Sequence, residues 1–522
     1  MNLDKRFDII RSDVLGKIRP TREENQTIHA IVSQVSRIID EWNKSHENYP
    51  YEFISPQGST GTKQTHLRDA SDIDLFIFLN PDDYKEIIKA DTKTRTHISI
   101  LFRKYCEEWI IPALKKEITE EIYIAYAEHP YVSTKVQGYD IDIVFSFILP
   151  EERIQKYGPI TAVDRTYYHT KFVNENLSDA QIDDVRILKS FFKKCYSYGD
   201  KAPIARGGFI GYAAELMIYH FKNIWNVFKD FHALPFNAID FFGRSIEDLK
   251  KITRFQRDFL IIIDPTDKNR NVAASISERA WIYCSKQIES FFDDPHVEML
   301  LEKKIQNFLD KTDSELNNHF VIAEIVQISD SHYTKIRDKL YSLAESIKSV
   351  ASTEFDHSIR FPKVNYSIYF NPSNNRFSLA FYTSQFHIDP EFLRKGPKVE
   401  NSRNFEKFKA KHPNLIIKNS YSYVLEKRKF TNFFELFQKT INERMFDEIK
   451  LINISIPKFC QYDESLMALQ VLQKCILPFE EELEEIIQKV IPKKNPDKKK
   501  SGDILHSNNK SEFHLRYQKK SL

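Results

Sequence analysis

Two short stretches of this chain each place a pair of carboxylates one residue apart at the mouth of an apolar run. The first is Asp72-Ile73-Asp74, leading into Leu75 to Leu79, and the second is Asp140-Ile141-Asp142, leading into "IVFSF". Strand residues alternate between faces, so Asp72 and Asp74 share one face while Ile73, Leu75 and Ile77 point into a core. Asp140 and Asp142 share a face by the same rule. Carboxylates held that close repel, and a divalent cation between them relieves the repulsion. If the two strands are neighbours, three carboxylates can converge on a two-metal site, which suits phosphoryl transfer. Gly58-Ser59, just upstream, can supply backbone N–H groups and a hydroxyl to cradle phosphates. A lone DxD is common in surface loops; Gly-Ser ahead of a DxD that opens an apolar strand is much rarer.

The strands that must carry these pairs sit in a chain of 522 residues, 41% hydrophobic. At roughly 100 to 200 residues per domain, that length predicts three or four units. Residues 1 to about 50 read as helices, with Ile28, Ile31, Val32, Val35, Ile38 and Ile39 in a stripe of helical period. Strand-like runs at Leu75–Leu79, Ile122–Ala127 and Ile141–Ile148, with helical pattern around Ile98–Leu114, make an α/β unit. From about 160 the pattern turns helical. Ser178 with Gln181 forms a capping-box start before Ile182, Val185, Leu188, Phe192 and Cys195, and Gly199 lies near that helix's end. A second helix over Gly211–Phe228 is apolar on most faces and so is expected to be buried. Farther on, "HFVIAEIVQI", a helix over His332–Lys348, and the runs "NYSIYF" and "RFSLAFYT" around the turn signal "NPSNN" read as a β-α-β-β element.

Charge is nearly balanced, 76 Lys+Arg against 74 Asp+Glu, so any nucleic-acid site must be a local patch. Cys106, Cys195, Cys284, Cys460 and Cys475 are scattered without a CxxC pair, which reads as reduced thiols rather than a disulfide framework or a zinc site. The first residues lack the apolar core of a signal peptide, and nothing approaches the roughly 20 apolar residues that span a bilayer. The expectation is a soluble, cytoplasmic protein with no membrane partner. From Lys489 onward basic residues far outnumber acidic ones and apolar residues are few, the composition of a disordered basic tail.

Gly58-Ser59, Asp72-Ile73-Asp74 and Asp142 together resemble the polymerase-β-type nucleotidyltransferase signature. The segments "TAVDRTYYHTKFVNENL", "DDVRILKSFFKKCYSYG", "RGGFIGYAAELMIYHF" and "IIIDPTDKNRNVAASIS" resemble the archaeal, class I CCA-adding enzymes, which are tRNA nucleotidyltransferases. "LRKGPKVENSRNFEKFKAKH" and "YSYVLEKRKF" resemble that family's C-terminal half. The resemblance implies an α+β multidomain fold. Its parts would be a polymerase-β-type nucleotidyltransferase head of mixed sheet and helices over 1–158, a helical, nucleotide-binding neck over 159–305, an RRM-like body over 306–370 and 422–484, and a tRNA-binding tail domain inserted over 371–421; the basic extension over 485–522 exceeds what the family implies.

The activity it implies is addition of C, C and A to the tRNA 3′ end from CTP and ATP, with release of pyrophosphate and no nucleic-acid template. The implied cofactor is Mg2+, held by Asp72, Asp74 and Asp142 as catalytic ligands. The implied nucleotide-binding residues are Gly58, Ser59, Thr166, His169, Lys189, Tyr198 and Arg270. Arg270 would read the incoming base together with the tRNA backbone, a task suited to the fixed donors of a guanidinium. The implied partners are tRNA, through its acceptor stem and 3′ end, with ATP and CTP; a homodimer is left open.

Plainer roles exist for several of these residues. His169 can cap a helix, Lys189 can be one more solvated charge beside Lys193 and Lys194, Tyr198 can pack at a helix end, and Arg270 can pin a turn. The loop "GSTGTKQTHL" also departs from the family's pattern, being slightly longer, with His66 in place of a tryptophan and Asp69 where glycine is usual; this leaves the role of Lys63 open. Two other functions compete. A poly(A)-polymerase-like or oligoadenylate-synthase-like enzyme would keep the chemistry with another acceptor, against which "VDRT", "RGGFIGY" and "GPKVEN" weigh together. A non-catalytic RNA-binding scaffold has no reason to retain Asp72, Asp74 and Asp142.

Overall fold

The computed structural model describes residues 3–46, 48–70, 72–88, 94–302, 313–329, 331, 333–371 and 374–491. The basic stretch beyond 491 and the expected helix start at His332 lie outside them.

Helical period sets the first two elements, α1 (Leu3–Ile18) and α2 (Arg22–Ser45). Thr21 and Glu24 close a reciprocal capping box at the start of α2. The predicted stripe Ile28, Ile31, Val35, Ile38, Ile39 is buried against the sheet formed by β1 (Phe53–Gln57), β2 (Asp72–Leu79), β3 (Ile122–Tyr126), β4 (Pro130–Val136) and β5 (Tyr139–Phe147). Its order is β1-β2-β5-β4-β3, with β2 and β5 parallel and the other pairs antiparallel. α3 (Thr94–Tyr105) runs through a π-helical turn at Cys106–Ile110 into α4 (Ile111–Leu114), and together they supply the crossover that parallel neighbours require. Trp109, in that turn, is fully buried in the same core.

The second unit is helical: α5 (Glu151–Tyr157), α6 (Thr166–Asn176), α7 (Asp179–Lys194), α8 (Gly211–Phe221), α9 (Ile224–Asp230), α10 (Ile246–Lys251), the short hairpin β6 (Ile263–Asp264) and β7 (Asp267–Asn271), and α11 (Glu278–Asp293). α7 starts at the expected Ser178/Gln181 box. The expected helix over Gly211–Phe228 is broken in two: Lys222 takes φ +77° and Asn223 caps α9. α1 opens the chain yet buries Phe7, Ile10, Val14, Leu15 and Ile18 among Val185, Leu188, Phe191 and Phe192 of α7. It therefore packs with the helical unit, not with the sheet whose sequence it precedes, and Arg11 Nε donates to Asp184 Oδ1 at 2.8 Å across the contact.

Beyond it come α12 (Ser314–His319), β8 (Phe320–Gln327), α13 (Tyr333–Ser352), β9 (Asn365–Asn371), β10 (Arg376–Tyr382), β11 (Glu391–Lys398), α14 (Ser402–Lys411), β12 (Ile416–Lys418), β13 (Tyr421–Lys427), α15 (Phe433–Arg444), β14 (Ile449–Ser455), α16 (Asp463–Val471) and α17 (Glu480–Val490). β8-α13-β9-β10-α15-β14 form an antiparallel sheet of order β14-β8-β10-β9, the split β-α-β arrangement expected of an RRM-like body. The boundaries at 371 and 421 do not hold. β10 lies in the body sheet because Phe377, Leu379 and Phe381 are buried in its core, and β13 pairs with β11 and β12 instead, so the inserted sheet spans 391–427. Nor does the extension begin at 485. α17 runs to Val490, and Leu483 and Ile486 join Leu466, Leu469 and Leu472 of the preceding segment in the core of the helical unit.

Asp164 couples the end of β5 to the start of α6. Buried, it accepts from the Phe147 N–H at 2.9 Å, the Thr161 N–H at 2.6 Å and hydroxyl at 2.8 Å, and the Ile160 N–H at 3.1 Å. Removing the carboxylate strands these donors away from water. Asp164→Ala is expected to cost about 3 to 5 kcal/mol of stability, read by denaturant unfolding; a loss below about 1 kcal/mol would contradict the coupling.

Candidate active site

β1 runs antiparallel to β2 with Gln57 opposite Asp74, and the chain turns immediately afterwards. Gly58 makes the turn at φ +65°, and a Cβ there would fall 2.1 Å from Asp74 Oδ2, so only glycine lets the loop press on this carboxylate. Ser59 follows, its carbonyl 3.2 Å from His66 Nδ1. β2 and β5 pair with Asp72 opposite Asp140 and Asp74 opposite Asp142. The condition left open by the sequence is met: the carboxylates stand on one face of neighbouring strands. Asp140 pairs with Lys135 Nζ at 3.1 Å, whereas Asp72, Asp74 and Asp142 form no ion pair among the described residues.

Burial, with repulsion from Asp142 and Asp72, pushes the Asp74 carboxyl up to about 6 against the pull of Lys63. Burial also raises Asp142, with Asp72 and Asp140 adding to it and a hydrogen bond from the Ser133 hydroxyl opposing. Oxygen donors that repel one another, with no cation of their own, are the donor set of a hard divalent ion. Among the described residues no three His, Cys, Asp or Glu side chains are grouped tightly enough to hold a metal ion, so binding one requires the carboxylates to close in.

The loop after Gly58 is held from the helical unit. Lys63 Nζ donates to Glu215 Oε2 at 2.9 Å and the Thr65 hydroxyl to Glu215 Oε1 at 2.7 Å. Lys189 Nζ donates to the Thr65 carbonyl at 3.0 Å, the Thr65 hydroxyl at 2.9 Å and Glu215 Oε1 at 3.4 Å. All three ammonium hydrogens of Lys189 are thus engaged, so here it positions the loop and is not one more solvated charge. Burial would raise Glu215, but Lys63, Lys189 and Thr65 outweigh it and bring the carboxyl to about 2; burial brings Lys189 down to about 8. Arg186 adds hydrogen bonds to the carbonyls of His66, at 3.1 Å, and Gln64. Tyr198 stands beside this cluster: a Cβ on Gly211 would lie 3.2 Å from its hydroxyl and 3.2 Å from Lys189 Cε. Burial, Glu215 and Asp72 all hold the Tyr198 hydroxyl protonated. Asp69, where glycine is usual, takes φ +61°, which explains that preference.

A second cluster lies beside the first, one turn along the same face of α8. Thr166 opens α6, and His169 and Thr170 lie one turn on, the latter tied to Gln57 Oε1 at 2.7 Å. His169 Nε2 is 2.8 Å from Asp264 Oδ2, and Arg270 Nη1 donates to the same oxygen at 2.9 Å. The Tyr212 ring stacks on His169 with centroids 4.0 Å apart, and its hydroxyl donates to Asp264 Oδ1 at 3.2 Å. Burial lowers His169 against the pull of Asp264, while His169, Arg270 and Thr266 hold the Asp264 carboxyl far below its usual range despite burial.

Of the residues expected from the sequence, Gly58, Ser59, Asp72, Asp74, Asp142, Lys189 and Tyr198 lie around the paired strands and the loop, His169 and Arg270 meet at Asp264, and Thr166 stands one turn before His169 on α6. Tyr212 and Glu215, one turn apart on α8, join them. These two and Asp264 are what sequence reasoning missed. The signals were slight: one acid inside the apolar "GYAAELMI", and an aspartate closing the apolar "IIID".

Known proteins fit this arrangement. Residues 52–169 match the nucleotidyltransferase domain family, and residues 183–301 match the second domain of tRNA nucleotidyltransferases. The CCA-adding enzyme of Methanocaldococcus jannaschii is 28% identical over 471 residues, covering 86% of this chain and 93% of its own. That of Methanococcus maripaludis is 27% identical over 461 residues, with 85% and 94% covered. That of Thermoplasma acidophilum is 32% identical over 294 residues, with 54% and 59% covered. Nucleotidyltransferases of this kind are metal-dependent. Among the described residues no helix is long and apolar enough to cross a membrane. With a nucleotidyltransferase domain followed by the second domain of tRNA nucleotidyltransferases, the chain is similar along most of its length to the CCA-adding enzymes of archaea.

Proposed function

We propose that this protein adds C, C and A to the 3′ end of tRNA, using CTP and then ATP. The observation that carries the reading is the parallel register of β2 and β5, which sets Asp74 beside Asp142 with Gly58 against Asp74 and the His169–Arg270 cluster alongside. The tRNA 3′ oxygen bonds to the α-phosphorus as the bond to the β-phosphate oxygen breaks and pyrophosphate leaves. Asp72, Asp74 and Asp142 would hold Mg2+, which when bound lowers the pKa of the attacking hydroxyl and neutralises the triphosphate. Gly58 and Ser59 offer N–H groups and a hydroxyl to the phosphates, Lys63 and Lys189 supply positive charge beneath the loop, and Thr166, His169 and Tyr198 flank the nucleotide. Arg270 reads the base edge. The inserted sheet over 391–427 is assigned to tRNA binding, and a cytoplasmic location accords with five free, buried thiols.

Incubated with tRNA lacking its 3′ CCA, Mg2+ and each labelled nucleotide in turn, the protein is expected to give products of defined length, ending three nucleotides longer. Long homopolymers or 2′-5′ linkages would move the function to another acceptor.

Asp72→Asn, Asp74→Asn and Asp142→Asn are each expected to abolish turnover at saturating Mg2+, and Asp140→Asn to be milder because Lys135 already neutralises that carboxylate. Asp74→Asn carries a second expectation. A carboxyl raised to about 6 binds its proton more readily folded than unfolded, so metal-free stability falls as pH rises from about 4 through 6. The substitution should raise metal-free stability by about 1 to 2 kcal/mol at pH 7, allowing for solvent screening at a half-buried site. The gain should shrink toward pH 4. Thermal unfolding in chelator at several pH values measures this, and an equal gain at every pH would contradict it.

A further inference from the structure

Asp264 is fully buried, and its two oxygens serve different partners. Oδ1 accepts from the Thr266 N–H at 2.9 Å, the Thr266 hydroxyl at 2.7 Å and the Tyr212 hydroxyl at 3.2 Å. These bonds fix the carboxylate plane to the hairpin turn and to α8. Oδ2 is left for His169 and Arg270. Because His169 Nε2 and Arg270 Nη1 both approach that oxygen, and lie 3.1 Å apart, the consistent assignment has both donating to it, which puts the imidazole hydrogen on Nε2 and leaves Nδ1 as an acceptor. Arg270 makes no other hydrogen bond among the described residues: its Nε and Nη2 donors remain unused on a side chain 29% exposed. The hairpin around it is held independently. Arg254 Nη1 donates to the Asn269 carbonyl at 2.8 Å, Arg244 Nη1 to the Lys268 carbonyl at 3.0 Å and Asn271 Nδ2 to the Leu260 carbonyl at 2.8 Å.

We propose that Asp264 is the positioning residue for nucleotide selection: anchored through Oδ1, it uses Oδ2 to aim the free donor edge of Arg270 and to fix the His169 tautomer. The inference rests on the reading of Arg270 as the base-reading residue. A guanidinium on a flexible stem discriminates between base edges only if its donors are held in place before the base arrives, because each unfixed rotation weakens the right and wrong contacts alike.

Asp264→Asn is the discriminating variant. The amide oxygen still accepts from Thr266 and Tyr212, so the turn survives, but an N–H₂ group now meets two donors. Arg270 is repelled and His169 must turn its tautomer round. The experiment measures kcat/KM for CTP and for UTP on tRNA lacking its 3′ CCA, in the parent, Asp264→Asn, Arg270→Ala and the double variant, with thermal unfolding alongside. We expect Asp264→Asn to relax the CTP/UTP ratio about tenfold, and the double variant to discriminate no worse than Arg270→Ala alone. A parental ratio in Asp264→Asn while Arg270→Ala is relaxed overturns the proposal, as does an equal fall for both nucleotides, the mark of a structural role. A parental ratio in Arg270→Ala overturns the base-reading role and the inference with it. If Asp264→Asn does not fold, Thr266→Val decides: it removes one anchor of Oδ1 and keeps the charge. A twofold to fivefold relaxation, about the effect of one lost hydrogen bond, supports the proposal, and an unchanged ratio overturns it.

Discussion

The geometry of this site depends on one buried carboxylate. Glu215 lies in the middle of α8, at 1% exposure, and holds Lys63 and Thr65 of the loop after Gly58 together with Lys189 of α7. Burying charges is costly unless geometry and hydrogen bonding compensate. Here Glu215 receives donors on both oxygens and Lys189 uses all three of its own. The set still carries two positive charges against one negative, and burial takes Lys189, not Glu215, toward neutrality. A standing excess of positive charge under a loop is unfavourable for an empty fold and favourable for one that receives a polyphosphate.

The same helix links that excess to the other half of the site. Tyr212, one turn before Glu215, stacks on His169 and bonds Asp264, and Lys63 Nζ lies 5.8 Å from the centre of its ring. The loop after Gly58 and the β6–β7 hairpin are thus referenced to one helix. Tyr212 and Glu215 face the site, while Ala213, Ala214, Leu216, Met217 and Ile218 of the same helix are core.

Much of this was legible in the sequence because two periods are hard to disguise. Alternation over "DIDLFIF" and "DIDIVFSF" placed the acidic pairs on strand faces, and the Ser178/Gln181 box located the start of α7. What alternation does not carry is adjacency. Nothing local states that β2 and β5 are parallel neighbours, that β1, with Pro56 inside it, is a strand, or that α1 buries its stripe on α7. Asp264, Tyr212 and Glu215 escaped for a related reason: each acquires its meaning from partners far along the chain. The boundary implied at 371 cut between two runs that the turn signal "NPSNN" already joins as a hairpin, whereas nothing local assigns "YSYVLEK" to the insertion, and only its register with β11 and β12 does so.

The seam between head and helical unit shows why the site sits there. The sheet core and the helical core are separate apolar clusters. Between them run polar contacts: Thr170 to Gln57, Lys189 and Glu215 to Thr65, and Arg186 to Gln64 and His66. An apolar seam would exclude a charged ligand, since opening it exposes hydrocarbon and offers the phosphates nothing in return. A polar seam can exchange one anion for another at nearly constant hydrogen bonding, with a phosphate oxygen taking a donor that a carboxylate or carbonyl gives up. At this seam Lys63 and Lys189 are held by the Glu215 carboxylate and the Thr65 carbonyl, acceptors of the same kind as a phosphate oxygen.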